Sequence, residues 1–175
     1  ISGCMENPLI GAFLRKVALE DIVPHVRPVP GMTPEDYVDL IDRRFSNPRI
    51  VDTTRRVAFD GSSRHPGFIL PVIRDALGAG SSIEGLALTE ALWARMCEGT
   101  REDGSLIERN DPIWDDLNAT AKAAKSNPAA WLEQRTLYGE LADDPRFSDA
   151  FARWLTMIWA DGVEEALRTY LQSTP

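Results

Sequence analysis

The chain has 175 residues, of which 43% are hydrophobic, so it is long enough to bury one core and fits a single domain. Asp and Glu number 27 against 19 Lys and Arg, which gives a formal net charge of -8 at pH 7. This acidic balance argues against nucleic acid or an anionic membrane as the main partner. Any cationic site must therefore be local, built from a few arginines that the fold gathers.

The cysteine and histidine contents restrict the chemistry further. The two cysteines, Cys4 and Cys97, lack Cys-x-x-Cys spacing, and only two histidines are present. This composition argues against a disulfide framework and a metal site, and it predicts a reduced, cytoplasmic protein. No apolar run approaches the roughly 20 residues that span a bilayer. The chain begins at Ile1 rather than Met, which suggests a piece of a longer protein.

Signals for helix starts recur along the chain, because proline repeatedly follows a good capping residue. Proline suits the first helical position, where its missing N–H costs nothing. Apolar residues follow each signal at helical spacing. The predicted starts, in chain order, are Asn7-Pro8, Thr33-Pro34, Ser82, Asp111-Pro112, Asn127-Pro128 and Asp144-Pro145, and a last helix covers residues 162–171.

Strand signals are nearly absent, since no alternating apolar run lasts beyond about three or four positions. We therefore predict an all-α fold, a single domain of about eight helices over residues 1–175. Tryptophans and phenylalanines recur at helical spacing, which is typical of core-facing stripes. The residues assigned to the core in this way include Trp93, Trp131, Phe147, Phe151, Trp154, Leu155, Ile158 and Trp159.

The usual signatures of catalysis are missing from this chain. The run GAGSS at 78–82 lacks the lysine of a phosphate-binding loop and follows no strand. No Gly-x-Ser-x-Gly turn occurs. The acid pairs Asp115-Asp116 and Glu164-Glu165 are adjacent and so diverge on a helix, which is typical of solvated faces.

The run RRVAFDGSSRHPGF at 55–68 stands apart, because it gathers cations and hydroxyls around an Asp-Gly break. We predict a short helix before Asp60, a turn, and a further helix over 68–77. Arg56 lies before the break and Arg64 after it, so the turn could direct both guanidinium groups to one hydroxylated or carboxylated ligand. The alternative is an internal Arg56–Asp60 ion pair at i, i+4 beside a solvated turn.

The surrounding sequence resembles the mannitol dehydrogenase family of polyol-specific long-chain dehydrogenases and reductases, and the resemblance covers essentially the whole chain. The matching motifs are Arg44-Phe45-Ser46-Asn47-Pro48, Asp52-Thr53, Arg56-Val57-Ala58-Phe59-Asp60-Gly61-Ser62-Ser63-Arg64-His65-Pro66 and Leu70-Pro71.

The resemblance implies the helical, C-terminal part of a two-domain enzyme. An N-terminal Rossmann-type domain, absent from this chain, would bind NAD or NADP, and no metal would take part. The substrate would be a sugar alcohol or an aldonate, as in mannitol/fructose or mannonate/fructuronate conversion. The family's catalytic Lys-x4-Asn-x2-His motif does not occur in this chain, and family order places it just before Ile1. The isolated chain is therefore expected to be inactive.

Two residues match substrate-contacting positions of the family. Arg56 matches its arginine, and Arg64 falls where the family usually has lysine. That departure keeps the charge but changes the geometry of the donor group. No family role transfers to His65.

Two rival hypotheses remain at this point. One is a helical interaction module without catalysis, in which the arginines form a docking patch. The other is the C-terminal domain of a 6-phosphogluconate-type hydroxyacid dehydrogenase, because a phosphate-bearing substrate would also suit two arginines.

Overall fold

The computed structural model describes residues 7–27, 30–47, 49 and 54–173. The described residues contain no β-strand, only an isolated bridge between Thr100 and Leu106, which lies in the long connection between two helices. The predicted all-α fold is confirmed. The helices are α1 (Pro8–Lys16), α2 (Pro34–Phe45), α3 (Thr54–Ala58), α4 (Gly61–Arg64), α5 (Leu70–Ala79), α6 (Glu84–Cys97), α7 (Trp114–Ala124), α8 (Ala129–Leu132), α9 (Arg135–Tyr138), α10 (Pro145–Asp161) and α11 (Val163–Gln172).

Wider or tighter helical turns extend some of these helices. A π-helical segment, Val17–Ile22, and a 3-10 turn, Val23–His25, follow α1. Another π-helical segment, His65–Ile69, joins α4 to α5, and a 3-10 segment, Gly139–Asp143, follows α9. Segments of this π-helical type are rare and often mark functional sites, so the stretch after Arg64 is of particular interest.

Helix α6 is the centre of the domain. Ten of its fourteen residues are buried, and it packs against α7 and α10. A helix that is apolar on all sides has to be covered on all sides. Helix α10 buries the predicted stripe, Phe147, Phe151, Trp154, Leu155 and Ile158.

Three of the four tryptophans assigned to the core are buried there, namely Trp93, Trp131 and Trp154. Trp159 lies at the edge, where Arg95 and Lys125 cover its ring at 4.2 and 4.3 Å from the ring centroid. Trp159 thus serves as a platform for two cations at the rim of the core.

Several predicted caps are confirmed. The side chains of Asn7, Thr33 and Asp144 each accept a backbone N–H in the first turn of the helix that follows. Ser82 Oγ accepts the N–H of Glu84 at 3.3 Å, although Ile83 stands between Ser82 and the first residue of α6. Local side-chain chemistry therefore fixes most of the helix starts.

Two predicted helices differ from the structure. The one expected from Asn127-Pro128 onward is divided into α8 and α9 at Gln134, whose side chain donates to the carbonyl oxygen of Trp131 at 2.9 Å. The one expected from Pro112 begins at Trp114, because the carboxylate of Asp111 accepts the N–H of Ile113 and also binds Ser62.

No helix within the described ranges is long and apolar enough to cross a membrane. Cys4, the motif residues Pro48 and Asp52-Thr53, and part of the predicted helix before Asp60 lie outside the described residues.

Candidate functional site

The Asp-Gly break forms a strained, tightly packed turn. Asp60 has φ 64° and ψ 45°, which makes it the single non-glycine residue of the described chain in the left-handed region. Gly61 follows it and is buried against Trp93, where an added Cβ would lie 2.5 Å from the indole Nε1. Such a contact is too close for any side chain, so the turn requires glycine at position 61.

The segment Asn110-Asp111 binds this turn from one side. The N–H of Asp60 donates to the carbonyl oxygen of Asn110 at 2.9 Å. The N–H and Oγ of Ser62 donate to the two carboxylate oxygens of Asp111 at 2.8 and 2.7 Å. Asp111 is only 9% exposed, so these bonds to a charged acceptor lie largely out of water and are stronger than average.

A buried polar chain binds the turn from the other side. His65 Nδ1 lies 2.7 Å from Glu90 Oε1, and Glu90 is completely buried on α6. The hydroxyl of Tyr138 donates to Glu90 Oε2 at 2.8 Å and accepts the indole N–H of Trp131 at 2.6 Å. Burial, and next the charge of Glu90, raise the pKa of Tyr138 well above its usual value, so the phenol stays protonated and acts as a donor.

Aromatic stacking accompanies this chain of hydrogen bonds. The ring of His65 stacks on Trp93 with the centroids 4.0 Å apart and the planes 18° apart. The same indole contacts Gly61 and packs edge-on against Trp131. Trp93 therefore supports both ends of α4, the four-residue helix that carries Arg64.

The two predicted site residues lie on either side of this turn. Arg56 is exposed on α3, and Arg64 is exposed at the end of α4. The ion pair between Arg56 and Asp60, which was the alternative to a shared ligand site, stays a hypothesis. The Oδ1 atom of Asp60 is buried without a hydrogen-bond partner in the described part of the chain. The structure thus shows what the sequence did not, namely that hydrogen bonds and packing hold the turn between the two arginines.

Other residues at the turn were missed by the sequence analysis. Glu90, Asp111 and Tyr138 hold the turn in place, yet each is distant from it in sequence. One sequence signal was available for Glu90, because it is the single charged residue of the run 85–94, GLALTEALWA. An acid at a fully buried helical position needs a polar partner.

A second polar cluster lies in a cleft of about 400 Å³ lined by α1, α6, α10 and α11. The Asp21 carboxylate there lies against Gly85, at the start of α6, and accepts the hydroxyl of Tyr170 at 3.4 Å, and burial raises the pKa of Asp21 to about 6. Lys16 donates to the carbonyl oxygens of Tyr170 and Ser173 at 3.0 and 2.5 Å.

These partners give the cleft a structural role. Asp21 packs against the start of α6 from a distant element, and Lys16 caps the end of α11, as cations do at helix C-termini. Cys97 contributes no nucleophile, because burial raises the pKa of its thiol.

The exposed arginines therefore offer donors for oxygen-rich groups, held by a rigid scaffold. No set of His, Cys, Asp and Glu side chains within the described ranges is arranged to hold a metal ion. The arrangement around Arg56 and Arg64 is suited to binding and orientation, whereas acid–base chemistry would need groups from elsewhere.

Comparison with known proteins shows to which family the chain is similar. The family model of the mannitol dehydrogenase C-terminal domain matches residues 1–159. The mannitol 2-dehydrogenase of Cereibacter sphaeroides is 48% identical over 171 residues, which cover 98% of this chain and 36% of that protein. The mannitol 2-dehydrogenase of Aspergillus clavatus is 30% identical over 168 residues, which cover 95% of this chain and 34% of that protein.

Solved structures agree with these relatives. The ternary complex of Pseudomonas fluorescens mannitol 2-dehydrogenase with NAD and D-mannitol superimposes with a TM-score of 0.90 at 29% identity, over 99% of this chain and 35% of that one. A substrate-free D-sorbitol dehydrogenase superimposes with a TM-score of 0.81 at 27% identity, over 93% of this chain and 34% of that one. The chain spans about a third of the length of these proteins. The chain belongs to the mannitol dehydrogenase family, and it corresponds to the C-terminal domain of that family.

Proposed function

We propose that this chain is the substrate-side helical part of an NAD-dependent polyol dehydrogenase that interconverts mannitol and fructose. The observation that carries the proposal is the 48% identity to a mannitol 2-dehydrogenase over 98% of the chain. The fold similarity to a structure that holds NAD and D-mannitol supports it. Family membership favours this function over a 6-phosphogluconate-type enzyme and over an interaction module without catalysis.

The proposal divides the chemistry between two domains. A dinucleotide-binding domain outside this chain would hold the cofactor, since the chain has no glycine-rich phosphate-binding turn. When bound, the nicotinamide accepts or delivers the hydride. The Lys-x4-Asn-x2-His motif, also outside this chain, would supply the proton acceptor. The expected cytoplasmic location belongs to the same proposal.

Arg56 and Arg64 would bind the part of the polyol that does not react. A guanidinium offers several donors in a fixed plane, which suits neighbouring hydroxyl oxygens. Both side chains are exposed, as a contact with a ligand in a cleft between domains requires. Their role is orientation, because an alcohol carbon that is poorly placed relative to the nicotinamide transfers its hydride slowly.

The substrate and the cofactor are tested with the full-length protein that the proposal requires. We expect NAD-linked oxidation of D-mannitol and NADH-linked reduction of fructose, and no turnover by residues 1–175 alone. Mannonate and NADP are the alternatives to be assayed beside them, because two arginines would also accept a carboxylate. A full-length protein that oxidises no polyol or aldonate with either cofactor would refute the proposed function.

A further inference from the structure

We propose that His65 is a positioning residue, which, through the buried carboxylate of Glu90, holds the turn that directs Arg64 toward the substrate. The inference rests on the proposed function, because it concerns the substrate side of the same reaction. Its structural basis is separate, however, and lies in the contacts between α4, α6 and α9.

The hydrogen-bond directions in the buried chain follow from its donors. The indole Nε1–H of Trp131 can only donate, so the Tyr138 oxygen accepts it. The hydroxyl of Tyr138 in turn donates its hydrogen bond to Glu90 Oε2. Glu90 Oε1 is then the acceptor for Nδ1–H of His65. With Glu90 as a carboxylate, which can only accept, this contact assigns the proton of a neutral His65 ring to Nδ1.

The charge of Glu90 makes His65 hard to replace. A fully buried carboxylate is costly unless hydrogen bonds or a cation compensate for its lost hydration. Arg95, the nearest cation along α6, is directed instead to Glu98 and the carbonyl oxygen of Thr100. Without His65, the Tyr138 hydroxyl would be the one remaining hydrogen-bond donor to Glu90 among the described residues, so the His65–Glu90 pair binds α4 firmly to the core.

Because His65 is held by Glu90, the backbone of the neighbouring Arg64 is held as well. His65 follows Arg64 directly and begins the π-helical segment His65–Ile69. Helix α4 has four residues, too few to be stable by itself. Its first residues are held by Asp111 and by the contact of Gly61 with Trp93, while its end is held by His65. The backbone of Arg64 is therefore fixed from both sides.

The first test measures the turn in the 175-residue chain itself. The N–H groups of Ser63 and Arg64 donate to the carbonyl oxygen of Asp60, so their hydrogen exchange reports on the turn. We expect His65→Phe, which keeps a stacking ring but removes the donor, to speed their exchange roughly tenfold or more. His65→Asn, which keeps an N–H donor near the Nδ1 position, should have a much smaller effect. His25→Phe, at the other histidine, should have none.

A second variant keeps the test decisive if His65→Phe does not fold. Glu90→Gln preserves the volume, and its amide oxygen can still accept the Tyr138 hydroxyl. Its amide nitrogen then faces His65, so we expect the ring proton of His65 to move from Nδ1 to Nε2 in ¹⁵N spectra. Unchanged ring nitrogens, or unchanged exchange at Ser63 and Arg64 in a folded His65→Phe, would overturn the proposal.

The link to the substrate is tested by a double-mutant cycle in the full-length protein. We expect His65→Phe to lower kcat/KM for the polyol about tenfold, mainly through KM, when Arg64 is present. In an Arg64→Ala background the same change should cost less than about twofold, because the group being positioned is gone. Equal losses in both backgrounds would show a merely structural role and refute the proposal.

The two proposals fail in different ways. If the full-length protein oxidises no polyol, the proposed function falls, and the exchange measurement in the isolated chain still decides whether His65 holds the turn. If the enzyme is active but the cycle shows equal losses, the proposed function stands and the positioning role of His65 falls.

Discussion

At the scale of single residues, the turn depends on how closely Gly61 approaches Trp93. The indole of Trp93 contacts Gly61 and stacks with His65, and Asp60 takes up a left-handed backbone just before it. A left-handed non-glycine residue costs free energy and persists only where its surroundings hold it. The hydrogen bonds to Asn110 and Asp111 supply that support.

Replacement of Gly61 tests this packing. We expect Gly61→Ala to lower the free energy of unfolding by about 1–3 kcal/mol, because the new Cβ would displace Trp93. Gly67→Ala is the matched control, since nothing lies within 4 Å of an added Cβ there. Urea unfolding of both variants measures the difference. Equal stability of the two would show that Trp93 moves aside easily.

The pKa of Asp21 makes the stability of the domain depend on pH. Burial raises that pKa from 3.8 to about 6. Between these two pH values the folded state therefore keeps a proton on Asp21 that the unfolded state releases. The stabilisation that protonated Asp21 gives to the fold is therefore fully present below pH 3.8, and it is lost as the pH rises through about 6.

This dependence is measured by urea unfolding at pH 5 and pH 7.5. We expect the wild-type protein to lose more stability over that interval than Asp21→Asn, by up to about 1 kcal/mol, because part of the titration lies below pH 5 and solvent screening reduces the rest. The comparison cancels the titration of other groups, which both proteins share. The same pH dependence in the two proteins would contradict the assignment to Asp21.

At the scale of elements, the helices that sequence analysis predicted well are those with local signals. Helix α10 has a capping Asp144, a following proline and an apolar stripe, all within a few turns. The contacts that build the site are not local: Ser62 and Asp111 are 49 residues apart, and Tyr138 and Glu90 are 48 apart. Helical periodicity carries no information about such pairs, so Arg56 and Arg64 could be proposed from sequence while their support could not.

The contact between Ser62 and Asp111 gives a test at this scale. We expect Ser62→Ala to cost about 1–2 kcal/mol of stability, because it removes a hydrogen bond to a charged, largely buried acceptor. Ser63→Ala is the control, as the neighbouring serine is exposed. Thermal unfolding compares the two. A Ser62 variant no less stable than the Ser63 variant would mean that Asp111 holds the turn through the backbone N–H alone.

At the scale of the whole molecule, the core around α6 supports the turn that carries Arg64. The core holds Glu90 and Trp93, these hold the turn, and the turn presents Arg64 beyond Asp60. The all-α class and the family were predictable, because helix signals and the Arg56–Pro66 motif are continuous in sequence. The division of residues 128–141 into α8 and α9 was not, since it accompanies a bond from the Gln134 side chain back to the carbonyl oxygen of Trp131 and a long-range bond from Tyr138 to Glu90.

The measurement that most directly tests the central claim is kcat/KM for D-mannitol oxidation by the full-length protein and its Arg56→Ala variant. If Arg56 orients the polyol, the variant loses transition-state stabilisation on the order of 1–3 kcal/mol, roughly 5- to 150-fold in kcat/KM. Arg168→Ala, which removes an exposed arginine paired with Glu164 on α11, should leave kcat/KM unchanged. An Arg56→Ala enzyme as active as the wild type on polyols and aldonates would show that Arg56 does not orient the substrate.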